Sequence, residues 1–139
     1  MGLIGVLQND PTLFVLIAVS LIFALCVHEF SHGIIAYRCG DDTAYKNGRL
    51  TLNPINHLDP IGSLMILFIG VGYAKPVPVN PYNLNNPRID MIKIAAAGPI
   101  SNFILSFLGV TLATLFIKMG LVTDNILMFF EYFIYQVPY

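Results

Sequence analysis

Charged residues are scarce in this chain. Asp, Glu, Lys and Arg make up only 11% of its 139 residues, whereas hydrophobic residues make up 56%. A soluble domain is about 25% charged, so this composition argues against an ordinary soluble fold and indicates a single membrane-embedded domain over residues 1–139. The 7 basic residues are balanced by 8 acidic ones, which leaves no basic surface of the kind that binds nucleic acid.

Cysteine is also rare. Cys26 and Cys39 are the only two, and they do not form a C-x-x-C pair, so we expect structural thiols rather than a disulfide framework. No Lys or Arg precedes the first apolar run, and that run is long, so it does not match a cleavable signal peptide. The chain also lacks internal repeats and low-complexity segments.

Long apolar runs predict the membrane helices. Leu13–Tyr37 and Ile94–Ile117 each hold about 25 residues, enough to cross about 30 Å of hydrocarbon, and Asp10 and Asp90 are suitable helix caps. Ile126–Tyr139 opens a third apolar helix with about 14 of the roughly 20 residues that a span needs. The sequence therefore predicts an α-helical integral membrane protein with about three transmembrane helices, the third incomplete.

The region between the first two helices has a different character. Thr43–Leu52 contains Asn47-Gly48, a dipeptide typical of type I′ turns, so we expect a small β-hairpin. Ile61–Tyr73 is apolar but too short to span, which predicts a loop that dips into the membrane. Ala74–Pro87 is rich in proline and asparagine, and we expect it to be extended.

Basic residues indicate the orientation in the membrane. Six of the seven fall within residues 38–93, and loops rich in Lys and Arg stay on the cytoplasmic side. We therefore expect a multi-pass protein of the cell membrane with its N-terminus outside and residues 38–93 in the cytoplasm.

The first apolar run contains three ionisable residues, His28, Glu29 and His32. Two residues four positions apart on a helix lie about 40° apart, one turn along the axis, so both imidazoles can reach one metal ion. A carboxylate directly after the first histidine can act as a general base beside a zinc-bound water. A histidine–glutamate cluster in a soluble helix is often only a polar face, but at membrane depth ionisable residues usually mark a functional site.

A second polar position lies on the other long helix. At about 1.5 Å per residue, His28 lies about 15 Å from Arg38, and Asn102 lies about 14 Å from Lys93, so the two share a depth. Asn102 either lines the same cavity as a substrate contact, together with the helix break at Pro99, or makes a simple interhelical hydrogen bond. The small residues before Pro99 let a neighbouring helix approach closely.

Four motifs resemble the site-2 protease family of intramembrane zinc metalloproteases, in particular its compact prokaryotic branch. They are HEFSH at 28–32, NGRLTLNPINHLDPIG at 47–62, GYAKPVPVNP at 72–81 and AAAGPISN at 95–102. The resemblance implies zinc held by His28 and His32, Glu29 as the catalytic carboxylate, and cleavage of a peptide bond in or near a membrane span.

The chain departs from this family at the third zinc ligand. The family takes it from an Asp-Gly pair on a later helix, and no Asp-Gly pair occurs here. We therefore expect a C-terminally truncated core, in which only Asp59 or His57 could substitute as the ligand.

The resemblance predicts a zinc intramembrane endopeptidase whose partners are a transmembrane protein substrate and the lipid bilayer. An alternative is a non-catalytic membrane protein that binds metal and peptide segments. A metal transporter is a third reading, but a permeation path usually needs more ionisable residues than this cluster supplies.

Overall fold

A computed structural model describes residues 3–69, 73–120 and 124 of the chain. Within these ranges the protein is helical and contains no β-strand. The predicted third helix, Ile126–Tyr139, lies outside the described residues. The five α-helices are α1 (Leu3–Asn9), α2 (Pro11–Arg38), α3 (Thr43–Lys46), α4 (Pro60–Phe68) and α5 (Pro87–Lys118).

Helix α2 confirms the first predicted span and extends it slightly at both ends. The Asp10 side chain caps its start by accepting a hydrogen bond of 3.1 Å from the N–H of Leu13, and Pro11 occupies the first helical position, where its missing N–H costs nothing. The helix ends at Arg38 with Cys39 as its C-cap, and Gly40 follows with a φ of 106°, which suits glycine. The N–H of Asp41 then bonds to the carbonyl of Ala36, which closes the last turn.

Helix α5 begins earlier than predicted. Asn86 is its N-cap residue and Pro87 its first residue, whereas the sequence suggested that Asp90 was the cap. Asp90 lies one turn inside the helix, and its carboxylate accepts a hydrogen bond of 2.8 Å from the N–H of Asn86. The aspartate therefore satisfies an unpaired N–H at the helix start from within the first turn.

Helices α2 and α5 are the two described helices that are long and apolar enough to cross a membrane. Only 17% of the most apolar window of α2, and 11% of that of α5, is buried in the described structure. The core helix of a soluble protein would be mostly buried, so these exposed apolar surfaces fit a membrane protein.

The two long helices pack against each other along residues spaced four apart. Buried positions of α5 recur at Asp90, Ile94, Gly98 and Asn102, which a helix places in one row. His32 contacts Ile94 whereas His28, earlier in α2, contacts Asn102, so the helices run antiparallel. A small apolar cluster closes the end of the pair where α2 finishes and α5 begins, and it is formed by Ala36, Leu84 and Ile94 with Ile35, Cys39 and Val79 around it.

The predicted β-hairpin at Thr43–Leu52 is wrong. Thr43–Lys46 forms one helical turn, α3, and Asn47 has a φ of −89°, although a type I′ turn needs positive φ at both central residues. Gly48 has a φ of 69° and ends the helix, because the N–H of Arg49 bonds to the carbonyl of Ala44 at 2.9 Å. Asn-Gly serves here as a helix C-terminus rather than as a hairpin turn.

The predicted membrane-dipping segment, Ile61–Tyr73, contains helix α4, and its entry into the membrane stays a prediction. Helix α4 is only 9 residues long, which is too short to span a membrane. The Asp59 side chain caps it by accepting a hydrogen bond of 2.9 Å from the N–H of Gly62. Gly62 has no room for a side chain, because a Cβ there would collide with the carbonyl group of Tyr73.

Residues 73–80 form a strap without helix or strand that leads the chain toward α5. The predicted extended stretch, Ala74–Pro87, is interrupted by a 3-10 turn at Pro81–Asn83, where proline takes the first position of the turn, so the prediction is wrong for that part. Hydrogen bonds to its backbone groups hold the strap in place. The N–H of Lys75 bonds to the carbonyl of His57 at 2.9 Å, and the Arg49 guanidinium donates to the carbonyls of Lys75 and Pro76 at 2.7 and 3.2 Å. Loop 49–57 therefore holds the strap in place.

Asp41 fastens the other end of the strap. Its fully buried carboxylate accepts hydrogen bonds from the N–H of Asn80 at 2.7 Å, from Thr43 and from the Asn83 side chain. Burial by itself raises the pKa of the Asp41 carboxyl, but these hydrogen bonds outweigh it and hold the pKa below its usual value. The strap is thus tied at both ends to the turns that follow α2.

Candidate functional site

His28, Glu29 and His32 lie together in the middle of α2. One ligand atom from each lies within 4.8 Å of the others, and the described residues contain no second group of three or more His, Cys, Asp or Glu residues this close. The two imidazole rings have their centroids 4.7 Å apart with their planes at 80°. The prediction that one helix face carries both imidazoles is confirmed.

Helix α5 determines which ring nitrogen of His32 carries the proton. His32 Nδ1 lies 2.6 Å from the carbonyl oxygen of Ile94. A carbonyl oxygen can only accept a hydrogen bond, so Nδ1 carries the proton and donates it. In the neutral ring the lone pair is then on Nε2, the form that binds a metal ion.

Asn102 meets the other histidine. Its Nδ2 lies 3.1 Å from His28 Nδ1, which confirms that the two residues share a depth. Asn102 is only 3% exposed, and its Oδ1 is buried without a hydrogen-bond partner among the described residues. A buried polar atom without a partner is uncommon and calls for a physical account.

Gly98 faces both imidazoles. A Cβ at this position would lie under 3.0 Å from Nε2 of His28 and from Nε2 of His32, closer than real Cβ contacts. The two nitrogens with metal-binding potential therefore converge on a spot that exists only because residue 98 is glycine. The small residues before Pro99 are recognisable in the sequence, but this role of Gly98 is not, because spacing within one helix does not show what faces the other.

The strap contacts Glu29. The N–H of Val77 donates a hydrogen bond of 3.3 Å to Glu29 Oε2, and the Val77 side chain lies near Gly33. A donor to one carboxylate oxygen holds the side chain in a fixed orientation and leaves the second oxygen for another partner. No sequence signal indicated this contact, because a backbone N–H carries no residue identity.

The remaining candidate residues lie elsewhere. The predicted helix break at Pro99 is wrong, because α5 continues through this residue, which lies on the exposed side of the helix. Asp59 caps α4. His57 is fully buried, with Nε2 donating to the carbonyl of Thr51 at 2.6 Å and Arg49 3.4 Å from its Nδ1. The structure does not bring Asp59 or His57 into the histidine cluster, and the prediction that either replaces a third ligand stays a prediction.

The histidine cluster fits zinc in three respects. Imidazole nitrogens are favoured zinc ligands, and two of them converge opposite Gly98. The Ile94 carbonyl orients one ring through its other nitrogen, as is usual for metal-binding histidines. Glu29 supplies a carboxylate within the same cluster.

Comparison with known proteins places these residues in a family. The sequence model of peptidase family M50 matches residues 16–138. The chain is 47% identical over 105 residues to the protein named putative zinc metalloprotease YwhC of Bacillus subtilis. It is 32% identical over 100 residues to putative zinc metalloprotease Rip2 of Mycolicibacterium smegmatis and 33% identical over 101 residues to Rip2 of Mycobacterium tuberculosis.

These relatives are longer than the chain. The match to YwhC covers 76% of this chain and 48% of that protein, and the matches to the two Rip2 proteins cover 68% of this chain and 38% of each. The chain thus spans about half or less of the length of the curated relatives it matches. No solved structure matches the chain.

Proposed function

Because the chain belongs to peptidase family M50, we propose that it is the core of a zinc-dependent intramembrane endopeptidase. The proposed substrate is a membrane protein, cleaved at a peptide bond within or near a transmembrane segment. The observation that carries this proposal is the cluster of His28, Glu29 and His32 inside an apolar helix long enough to span a membrane. Zinc is the metal of this family, and the relatives are named zinc metalloproteases.

Each residue of the cluster has a separate role in this proposal. His28 and His32 hold zinc through Nε2. Zinc, when bound, lowers the pKa of a water molecule and polarises the carbonyl group to be attacked. Glu29 takes the proton from the attacking water and passes it to the amine nitrogen of the broken peptide bond. The Val77 N–H holds the Glu29 carboxylate in position for this transfer.

The substrate must be extended to be cut, although a transmembrane segment arrives as a helix with its backbone hydrogen bonds satisfied. The strap at residues 73–80 is not helical, and the N–H of Val77 within it contacts Glu29. We propose that the substrate lies alongside the strap and exchanges backbone hydrogen bonds with it, as in strand addition.

The membrane topology belongs to the same proposal. Helix α2 crosses from outside to the cytoplasm and α5 crosses back, since the two run antiparallel. Residues 38–93, which carry six of the seven basic residues, then face the cytoplasm in a multi-pass protein of the cell membrane.

Two substitutions test the proposed roles. In detergent-purified protein, His32→Ala removes a ligand and should lower both the zinc content per chain and the cleavage of a reporter transmembrane segment. Glu29→Gln keeps the shape of the side chain but cannot take a proton. It should leave the zinc content unchanged and slow cleavage by about 10²–10⁴-fold, the usual contribution of a general base.

Ser31→Ala is a matched control, because within the described part of the chain the Ser31 hydroxyl bonds to the Val27 carbonyl on its own helix. It should retain zinc and activity. Equal zinc content in the wild-type protein and in the His32→Ala variant would contradict the metal site. Zinc binding that depends on the histidines, without cleavage of any reporter, would favour a non-catalytic binding protein.

A further inference from the structure

Asn102 occupies a position that a substrate contact does not explain. Its amide lies against Nδ1 of His28, whereas Nε2 of the same ring is aimed at Gly98. The two nitrogens of an imidazole point in divergent directions, so the amide meets the side of the ring that does not bind metal. Asn102 is 3% exposed, which leaves it little surface for contact with a substrate.

The two histidines differ in the partner that α5 gives them. His32 has the Ile94 carbonyl, which can only accept and therefore fixes the proton on Nδ1. His28 has an amide, which donates through Nδ2 and accepts through Oδ1. Only the accepting end fixes the proton of His28 on Nδ1 and leaves the Nε2 lone pair free for a metal ion.

The accepting end is available. Asn102 Oδ1 is buried and has no partner among the described residues, and a half-turn of the amide about the Cβ–Cγ bond exchanges Oδ1 with Nδ2. That half-turn places an acceptor about 3 Å from a ring nitrogen that must donate if Nε2 binds a metal. Asn102 Oδ1 thus needs a donor, and the Nδ1 proton of His28 needs an acceptor, so a hydrogen bond between them satisfies both.

We propose that Asn102 is a positioning residue, which selects the tautomer of His28 by accepting the Nδ1 proton through its amide oxygen. It then does for His28 what the Ile94 carbonyl does for His32, and α5 prepares both nitrogens that face Gly98. This role rests on the proposed zinc site, but the tautomer itself can be measured without metal.

Two substitutions at Asn102 separate accepting a proton from filling space. Asn102→Leu keeps a similar volume but cannot accept a hydrogen bond, whereas Asn102→Asp keeps an acceptor in the same place. Zinc affinity, measured by competition with a chromogenic chelator at about pH 8, should fall about 10–100-fold in Asn102→Leu. Asn102→Asp should equal or exceed the wild-type affinity.

Ser101→Ala is the matched control on the same turn, because the Ser101 hydroxyl donates to the Gly98 carbonyl of its own helix and does not reach His28. Its zinc affinity should equal that of the wild-type protein. Equal zinc affinity in wild type, Asn102→Leu and Asn102→Asp, with cleavage lost in the leucine variant, would overturn the positioning role and assign Asn102 to substrate binding.

A second measurement reads the proton directly. The ¹⁵N chemical shifts of the His28 ring in protein without zinc distinguish the Nδ1–H form from the Nε2–H form. The wild-type protein should show the Nδ1–H form, and Asn102→Leu should lose it. Unchanged shifts in Asn102→Leu would overturn the proposal even if zinc binds. If no variant binds zinc, the proposed function fails while the shifts still decide the role of Asn102.

Discussion

At the scale of single residues, the site depends on the absence of a side chain at Gly98 of α5 as much as on the side chains of α2. The chemistry of His28 and His32 follows from their type and spacing. Their freedom to approach one ion follows from Gly98, since a Cβ there would collide with both Nε2 atoms. A protein interior has little spare volume, so even one methyl group in this place must displace its neighbours.

Replacement of Gly98 by alanine should therefore weaken zinc binding by at least about tenfold, the loss typical when the surroundings of a metal ligand change. Zinc content after dialysis against a weak chelator measures it. Gly33→Ala is the matched control, since a Cβ at Gly33 would meet its neighbours at ordinary distances of 3.5 and 3.6 Å. Equal zinc retention in both variants would mean that the rings bind zinc elsewhere.

Single residues were also the most predictable part of the site. His28, Glu29 and His32 could be grouped from the sequence because helix geometry is local and α2 is long. Asn102 could be placed at their depth by counting residues from the helix ends. The partners that are backbone groups, the Ile94 carbonyl and the Val77 N–H, could not be predicted, because only packing decides which peptide group lies opposite a side chain.

At the scale of elements, the strap connects the turns after α2 to the Glu29 carboxylate. The Asn47-Gly48 dipeptide was misassigned to a hairpin because glycine with positive φ serves both a type I′ turn and a helix C-terminus. What decided between them was the hydrogen bonding around the preceding residues, with Asp41 holding Thr43 at the start of α3. The absence of an α-helix in the strap was predictable, because its prolines disfavour one.

Removal of the Val77 backbone N–H tests the role of the strap. Val77→Pro deletes the N–H that contacts Glu29, in a segment that is not helical. Cleavage should fall about tenfold or more, which is part of the 10²–10⁴-fold rate enhancement that general-base catalysis supplies. Zinc content should stay unchanged. Val77→Ala keeps the N–H and removes side-chain packing, so it should retain most of the activity. Equal losses in both variants would show that packing, rather than the hydrogen bond, is what matters.

At the scale of the whole molecule, two antiparallel helices bring together residues that are far apart in sequence. Both long helices were predictable from apolar length. The start of α2 was placed within a few residues. Helix α5 begins earlier than expected, at Pro87, because Asn86 is its N-cap and proline favours the first helical position. The pairing of the helices could be anticipated only at the depth of the site, where polar residues marked both partners.

The topology can be tested by labelling. After replacement of both native cysteines by serine, Lys46→Cys and Lys118→Cys place single thiols at exposed positions on opposite sides of the proposed membrane. A membrane-impermeant maleimide should label residue 118 in intact spheroplasts, and residue 46 only after permeabilisation. Labelling of both in intact spheroplasts would show that α5 does not cross the membrane.

Because the site is divided between α2 and α5, its two parts are synthesised at different times. His32 and Ile94 are 62 residues apart in the chain, and His28 and Asn102 are 74 apart. At about 5–20 residues per second, a ribosome makes the partners roughly 3–15 s after the histidines. During that interval α2 carries its imidazoles and its carboxylate with no second helix to pair them. In the proposed membrane topology, a newly made α2 would therefore be a less stable membrane segment than the same helix in the finished protein, because its ionisable residues would lack the partners that α5 supplies.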